Sequence, residues 1–186
     1  IVPDHDMALM KPGQSLNELV SRAIAGLDKI IDAEQPDVII SQGDTSTAMA
    51  AALAGFHRGV KIVHLEAGLR TGNIFSPFPE EANRKIIGQM ASLHLAPTNE
   101  SRENLRRENF RSKDIVVTGN TVIDALIAAS QWDVQFEDQR LGAIRNTEER
   151  LVLVTTHRRE NLDAMKEIGG AVQDLSLIHI SEPTRR

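Results

Sequence analysis

Three carboxylates and one basic turn carry the chemistry open to this sequence. Asp44 lies in Gly43-Asp44-Thr45, directly after the β-branched run Val38-Ile39-Ile40. Glu66 closes a second apolar run, Val60 to Leu65, and opens the segment Glu66-Ala67-Gly68-Leu69-Arg70-Thr71. Glu80 and Glu81 follow Pro77-Phe78-Pro79, with Arg84 four residues after Glu80. Farther on, Thr156-His157-Arg158-Arg159-Glu160 follows the apolar run Leu151 to Thr155. Carboxylates serve as general acids and bases once their surroundings tune them. A His-Arg-Arg turn between a strand and a helix can receive phosphate oxygens on its basic side chains and backbone N–H groups.

Each of these features also has a plainer reading. Asp44 or Thr45 could simply cap the next helix by accepting a backbone N–H. Glu80 and Glu81 suit the positive end of a helix, and a Glu80–Arg84 pair at i,i+4 would add about 0.5 kcal/mol. Arg70 could clamp a phosphate or pair with a neighbouring acid, and the His157 turn could be a solvated charged loop. His64 and Glu66 share a strand face, yet no third ligand has a matching spacing, so no metal site is expected. Neither G-x-G-x-x-G nor G-x-x-x-x-G-K-[ST] occurs, so a dinucleotide cofactor or a P-loop is not expected and no cofactor is assigned.

The elements that must position these residues can be read from periodicity. Ser15-Leu16-Asn17-Glu18 has capping-box spacing, and Leu16, Leu19, Val20, Ala23, Ile24, Leu27, Ile30 and Ile31 recur at helical intervals, predicting a helix over 15–34. Short apolar runs near 38–41, 60–65, 93–96, 115–118 and 151–155 read as strands. Helical stretches separate them: an Ala-rich one up to Gly59, one from Pro79, one over about 98–109 and one over about 121–130. A last helix is expected from about Asp163. The polar, poorly periodic stretch 131–150 reads as a linker with a helical piece. Parallel strands need crossover connections, so the alternation predicts an α/β fold: a parallel sheet with helices on both faces. Ligands in such sheets bind at the carboxyl ends of the strands, where Asp44, Glu66, Asn120 and His157 fall.

Composition narrows the partners. The chain has 186 residues, no cysteine and a formal charge of −5, with a pI near 5.7. This balance offers no electrostatic grip on nucleic acid or an anionic membrane. The longest apolar stretch, Ala48 to Phe56, is far short of the roughly 18 residues of a membrane span. The start, Ile1-Val2-Pro3-Asp4, lacks the pattern of a signal peptide and reads as cut. Leu175 to Arg186, LSLIHISEPTRR, resembles the in-frame translation of a sequencing-library adaptor; it is expected to break the preceding helical pattern and to be a non-native tail.

Taken together, the motifs resemble the non-hydrolysing UDP-N-acetylglucosamine 2-epimerases of bacteria. The segments that carry the resemblance are Met10-Lys-Pro-Gly-Gln14, Pro36 to Thr45, His64-Leu-Glu-Ala-Gly-Leu-Arg-Thr-Gly72, Ser76-Pro-Phe-Pro-Glu-Glu-Ala-Asn-Arg84, Ala96-Pro-Thr98, Val117 to Asp124 and Thr156-His-Arg-Arg-Glu-Asn161. They occur in the family's order along nearly all of residues 1–174.

The resemblance implies two Rossmann-like domains in a GT-B-like architecture. Residues 1–130 would be most of the first domain, 131–150 the crossover and 151–174 the first strand–helix unit of the UDP-binding domain. It also implies interconversion of UDP-N-acetylglucosamine and UDP-N-acetylmannosamine by elimination of UDP to 2-acetamidoglucal and re-addition. The implied enzyme is cytoplasmic and homodimeric at full length, with no metal or cofactor assigned. By motif position Asp44, Glu66 and Glu80 match the family's essential acids, and His157 its UDP-contacting histidine. Arg84, Arg158 and Arg159 match cleft residues. The family's first strands and most of its second domain have no counterpart here, so the polypeptide as given is expected to be inactive. The alternatives are a hydrolysing 2-epimerase, a GT-B glycosyltransferase and a non-catalytic nucleotide-sugar-binding module.

Overall fold

A computed structural model describes residues 2–145, 152–155 and 164–181, and by internal contacts the chain divides into two units, Ile1–Trp132 and Asp133–Arg186. In the first unit α1 (Leu16–Glu34) is followed by β1 (Val38–Gln42), α2 (Ser46–His57), β2 (Lys61–Leu65) and α3 (Glu80–Met90). Then come β3 (Leu93–Ala96), α4 (Asn99–Arg107), β4 (Ile115–Val117) and α5 (Thr121–Ser130). The strands form one parallel sheet in the order β1-β2-β3-β4. The fold is α/β and Rossmann-like, as the strand–helix alternation predicts.

Local chemistry sets the helix ends. Ser15 Oγ accepts from Glu18 N at 3.1 Å and starts α1, satisfying one of the backbone donors that a helix start leaves free. Gln35 ends the helix in the left-handed region with φ 46°, and Pro36 follows. Thr98 and Asn120 cap α4 and α5 in the same way as Ser15, accepting from Ser101 N and Val122 N at 3.1 Å. Asn120 at the β4 rim is thus a cap.

The core rests on one sheet face. Register pairs share a face, and Ile39, Ser41, Ile62, His64, His94 and Ala96 lie on the covered one. On the alternate face Val38, Ile40 and Val116 are exposed, and Val63, Leu65, Leu93 and Leu95 are only half-buried. Helices were expected on both faces; among the described residues the sheet is buried on one. The strand order explains this, because right-handed crossovers between strands that always step in the same direction lay their helices on the same side.

Close approach of α2 is made by small residues, Ala50, Ala52, Ala54 and Gly55, all buried. A Cβ on Gly55 would lie 2.6 Å from Ile39 Cδ1 and 2.7 Å from Ile62 Cδ1. Ala52, Ile62 and Ile87 form one buried cluster, and Ala67, Ala96, Leu105 and Ile115, with Phe110 against them, form a second. Full burial of a side chain such as Ile87 or Leu105 is worth about 1.5–3 kcal/mol.

No residue of α5 is buried, and Val122, Ile123, Leu126 and Ile127 are exposed. The second unit contains α6 (Gln139–Arg145) and α7 (Met165–Ser181). Two expectations are corrected there. Residues 152–155 form no strand, and Leu153 is 94% exposed; an apolar β-branched run becomes a strand only against a neighbouring ladder. The pattern break expected at Leu175 does not occur either, since α7 runs on to Ser181. The tail holds no helix-breaking residue before Pro183.

Candidate active site

Strands β1 and β2 stay in register up to Gln42 and Leu65, so the residues that follow them emerge side by side. Gly43 N donates to Leu65 O at 3.0 Å, one step beyond the paired residues. The chain then turns at Gly43 with φ 73°, a conformation open to glycine at little cost. Thr45 takes the capping role, its Oγ1 accepting from Ala48 N at 3.1 Å. The choice between Asp44 and Thr45 as cap is thereby resolved, and the Asp44 carboxylate is directed elsewhere. Its Oδ2 accepts from Arg84 Nε at 2.8 Å and lies 2.7 Å from Arg84 Nη2 in the same ion pair.

Glu66 stands one residue beyond β2 with φ 67°, a left-handed conformation that costs a non-glycine residue of order 1–3 kcal/mol. That turn ends the extended alternation, so the face shared by His64 and Glu66 stops at the strand end. The Glu66 carboxylate lies over the Asp44 turn, Oε2 being 3.8 Å from where a Cβ on Gly43 would stand. Among the described residues it has no hydrogen-bond or ion-pair partner. Strain of this kind at a strand end, on an unpaired acid, is typical of sites where geometry serves chemistry.

The third carboxylate comes from the start of α3. Glu80 and Glu81 both occupy the first turn, where the helix dipole favours negative charge. Their fates differ. Glu81 is fully buried and accepts from Arg84 Nη1 at 2.9 Å and from Gly72 N at 3.3 Å. Glu80 is half-buried and unpaired among the described residues. The expected Glu80–Arg84 pair is therefore replaced by Glu81–Arg84 at i,i+3 and by the reach of Arg84 to Asp44. A buried carboxylate left without a counter-charge is strongly unfavourable, so Glu81 claims the arginine. Arg84 thus spends two hydrogen bonds inside the protein, with its third guanidinium nitrogen also against Asp44.

Arg70 is likewise committed. Its Nε and Nη2 each lie 2.8 Å from an oxygen of Glu108, and its side chain is 8% exposed. Of its two readings, the pairing with a neighbouring acid is the one formed. The pair holds the Glu66–Gly72 loop onto the end of α4, assisted by Asn104 Nδ2 donating to Gly68 O at 3.0 Å. Bidentate geometry and the Arg70 hydrogen bond hold the Glu108 carboxyl below its ordinary range.

Two residues that sequence reasoning passed over as site members bear on the same place. Asn83, 4% exposed, donates from Nδ2 to Asp44 O at 2.8 Å. His64, 1% exposed, has Nε2 2.8 Å from Gly43 O. The only signal for Asn83 was a polar side chain four residues before the buried Ile87, on the same helix face. Burial pushes the His64 imidazole below its usual range, against the opposing effect of its bond to Gly43. Burial does the same to His94, its register partner on β3, with His64 and Arg70 nearby adding to the shift, down to about 4.

Asp44 and Glu66 therefore meet at the carboxyl ends of β1 and β2, and Asn83 and Arg84 tie α3, which begins with Glu80, to the Asp44 turn; among the described residues Glu66 and Glu80 have no hydrogen-bond or ion-pair partner. His157, Arg158 and Arg159 lie outside the described residues. Among the described residues no three His, Cys, Asp or Glu side chains are placed to share a metal ion.

A sequence profile of the family described as UDP-N-acetylglucosamine 2-epimerase matches residues 1–180. A UDP-N-acetylglucosamine 2-epimerase of Salmonella typhimurium is 42% identical over an alignment of 206 positions, gaps included, that covers all of this chain and 55% of that protein. The Staphylococcus aureus protein MnaA, solved with UDP, is 39% identical with a TM-score of 0.81, over 94% of this chain and 45% of its own. A UDP-GlcNAc 2-epimerase from Neisseria meningitidis, solved with UDP-GlcNAc bound, is 44% identical with a TM-score of 0.67, over 70% of this chain and 36% of its own. The chain spans about half the length of the curated relatives it matches. Profile, sequence identity and fold agree, and the chain belongs to the UDP-N-acetylglucosamine 2-epimerase family.

Proposed function

We propose that the complete protein carrying these residues interconverts UDP-N-acetylglucosamine and UDP-N-acetylmannosamine without net hydrolysis. The C2 proton and UDP leave to give 2-acetamidoglucal; UDP then adds back as C2 is protonated from the opposite face. The observation that carries this reading is the meeting of Asp44 and Glu66 at one sheet rim, to which Asn83 and Arg84 tie the helix that begins with Glu80. Inverting a carbon that no adjacent carbonyl acidifies needs a good leaving group and proton carriers on both faces, which positioned carboxylates supply. Asp44, Glu66 and Glu80 are assigned to that work. His157, Arg158 and Arg159 are assigned to the diphosphate, whose departure needs positive charge.

The reading places residues 1–130 in a first domain, 131–150 in a crossover and 151–174 in a second, UDP-binding domain of a GT-B-like, homodimeric, cytoplasmic enzyme, with 175–186 as a foreign tail. Residues 1–186 alone are proposed to be inactive; they span about half the relatives' length, and the exposed apolar side chains of α5 have no cover among the described residues. Product analysis of the complete protein with UDP-N-acetylglucosamine tests this: UDP-N-acetylmannosamine, with trace glucal and UDP, is expected. Free N-acetylmannosamine with stoichiometric UDP would establish the hydrolysing reaction instead, and turnover by residues 1–186 would refute the inactivity of the fragment.

A further inference from the structure

The carbonyls of Gly43 and Asp44 belong to neither neighbouring element. The β1–β2 ladder ends with Gly43 N, and the first carbonyl taken up by α2 is that of Thr45, which accepts from Met49 N. Both orphan carbonyls are instead taken by buried side chains, Gly43 O by His64 and Asp44 O by Asn83, each at 2.8 Å. A carbonyl only accepts, so His64 carries its proton on Nε2. Its Nδ1 is buried with no hydrogen-bond partner among the described residues. An aliphatic side chain would fill the space without stranding a nitrogen, and the bond to Gly43 is what sets histidine apart there.

The two donors come from telling places. His64 sits two residues before Glu66 on β2, and Asn83 three residues after Glu80 on α3. Each bond therefore ties the backbone of the Asp44 turn to the element that delivers another of the three carboxylates. We propose that His64 and Asn83 are positioning residues that lock the Asp44 turn in register with Glu66 and Glu80. The proposal rests on those three acids being the proton carriers. Neither side chain touches the reacting sugar in this scheme; both act through Asp44.

The test uses the complete protein, with kcat and KM for UDP-N-acetylglucosamine and deuterium incorporation at C2. His64→Leu is expected to lower kcat about 10- to 100-fold, the scale on which a small misplacement of a catalytic group is felt, with KM changed by less than about threefold. His64→Gln, whose amide nitrogen can occupy the Nε2 position, is expected to recover kcat to within about fivefold of wild type. A His64→Leu protein with wild-type kcat, a loss that the Gln variant shares in full, or a loss carried by KM alone overturns the proposal. Where His64→Leu yields no folded protein, Asn83→Ala decides: a kcat at least about tenfold lower at unchanged KM supports the clamp, and an unchanged kcat refutes it. Lack of C2 exchange in the wild-type protein would defeat the carboxylate reading itself, whereas exchange in wild type and both variants alike would defeat only the clamp.

Discussion

Arg84 grips Asp44 across 40 residues of chain, with Nε at 2.8 Å and Nη2 at 2.7 Å from the same oxygen, Oδ2. The third nitrogen, Nη1, holds the fully buried Glu81 at 2.9 Å. One guanidinium thereby joins the turn after β1 to the start of α3, while Glu80 has no hydrogen-bond or ion-pair partner among the described residues.

Removing that guanidinium should be costly. Arg84→Met strands the Glu81 charge in the interior and is expected to destabilise the fold by about 3–5 kcal/mol, as for other broken buried pairs. Arg84→Lys keeps a charge but cannot serve both acids in the same planar geometry, so it should lose less stability while still lowering kcat. Urea unfolding of both variants checks this; equal midpoints for wild type and Arg84→Met would show that the link is not structural.

Gly68 should be irreplaceable for a steric reason. Its φ is 89°, and an added Cβ would lie 2.2 Å from the backbone oxygen of Ser101. Because the obstacle is backbone on α4, nothing can rotate away. Gly68→Ala is expected to cost at least about 1–3 kcal/mol from overpacking alone and to loosen the loop that carries Glu66. Hydrogen exchange of the loop amides should rise in this variant, and unchanged protection would contradict the packing account.

The pH dependence of stability should carry a histidine signature. His94 is held near 4 in the fold, against an ordinary 6.5, by burial first and then by His64 and Arg70, with Asp114 opposing. Between those values the unfolded chain binds the proton and the folded one does not, so this contribution is complete above pH 6.5 and is lost as pH falls to about 4. A shift of this size corresponds to about 3 kcal/mol. His64 is displaced in the same direction and adds to the slope. The urea midpoint should therefore drop as pH falls through this window, and His94→Phe, whose ring would pack against Phe110 in the tilted arrangement that His94 has, centroids 4.6 Å apart, should flatten the drop. An unchanged slope would show that His94 is not the titrating group.

These features differ in how far the sequence discloses them. The strands are legible because β-branched runs are punctuated by Gly, Pro and Asp, and α1 because Ser15 and Glu18 mark its start. The three acids are legible as residues just beyond strands or at a helix start. Which of two adjacent acids is free is not: Glu80 and Glu81 look equivalent until the inward face of α3 is known. Nor can sequence reveal His64 and Asn83 as clamps, since their partners are backbone carbonyls 21 and 39 residues away. The run at 152–155 shows the converse, for its pattern is that of a strand but a strand also requires a neighbour.

Proton exchange at C2 tests the central claim most directly. In deuterium oxide the complete protein should place one solvent deuteron at C2 of both UDP-sugars, and Glu66→Gln, Glu80→Gln or Asp44→Asn should each slow that exchange by at least about 100-fold, the scale of a lost general acid or base. Interconversion with no deuterium at C2, or amide variants that exchange at the wild-type rate, would contradict the assignment of the three carboxylates as proton carriers.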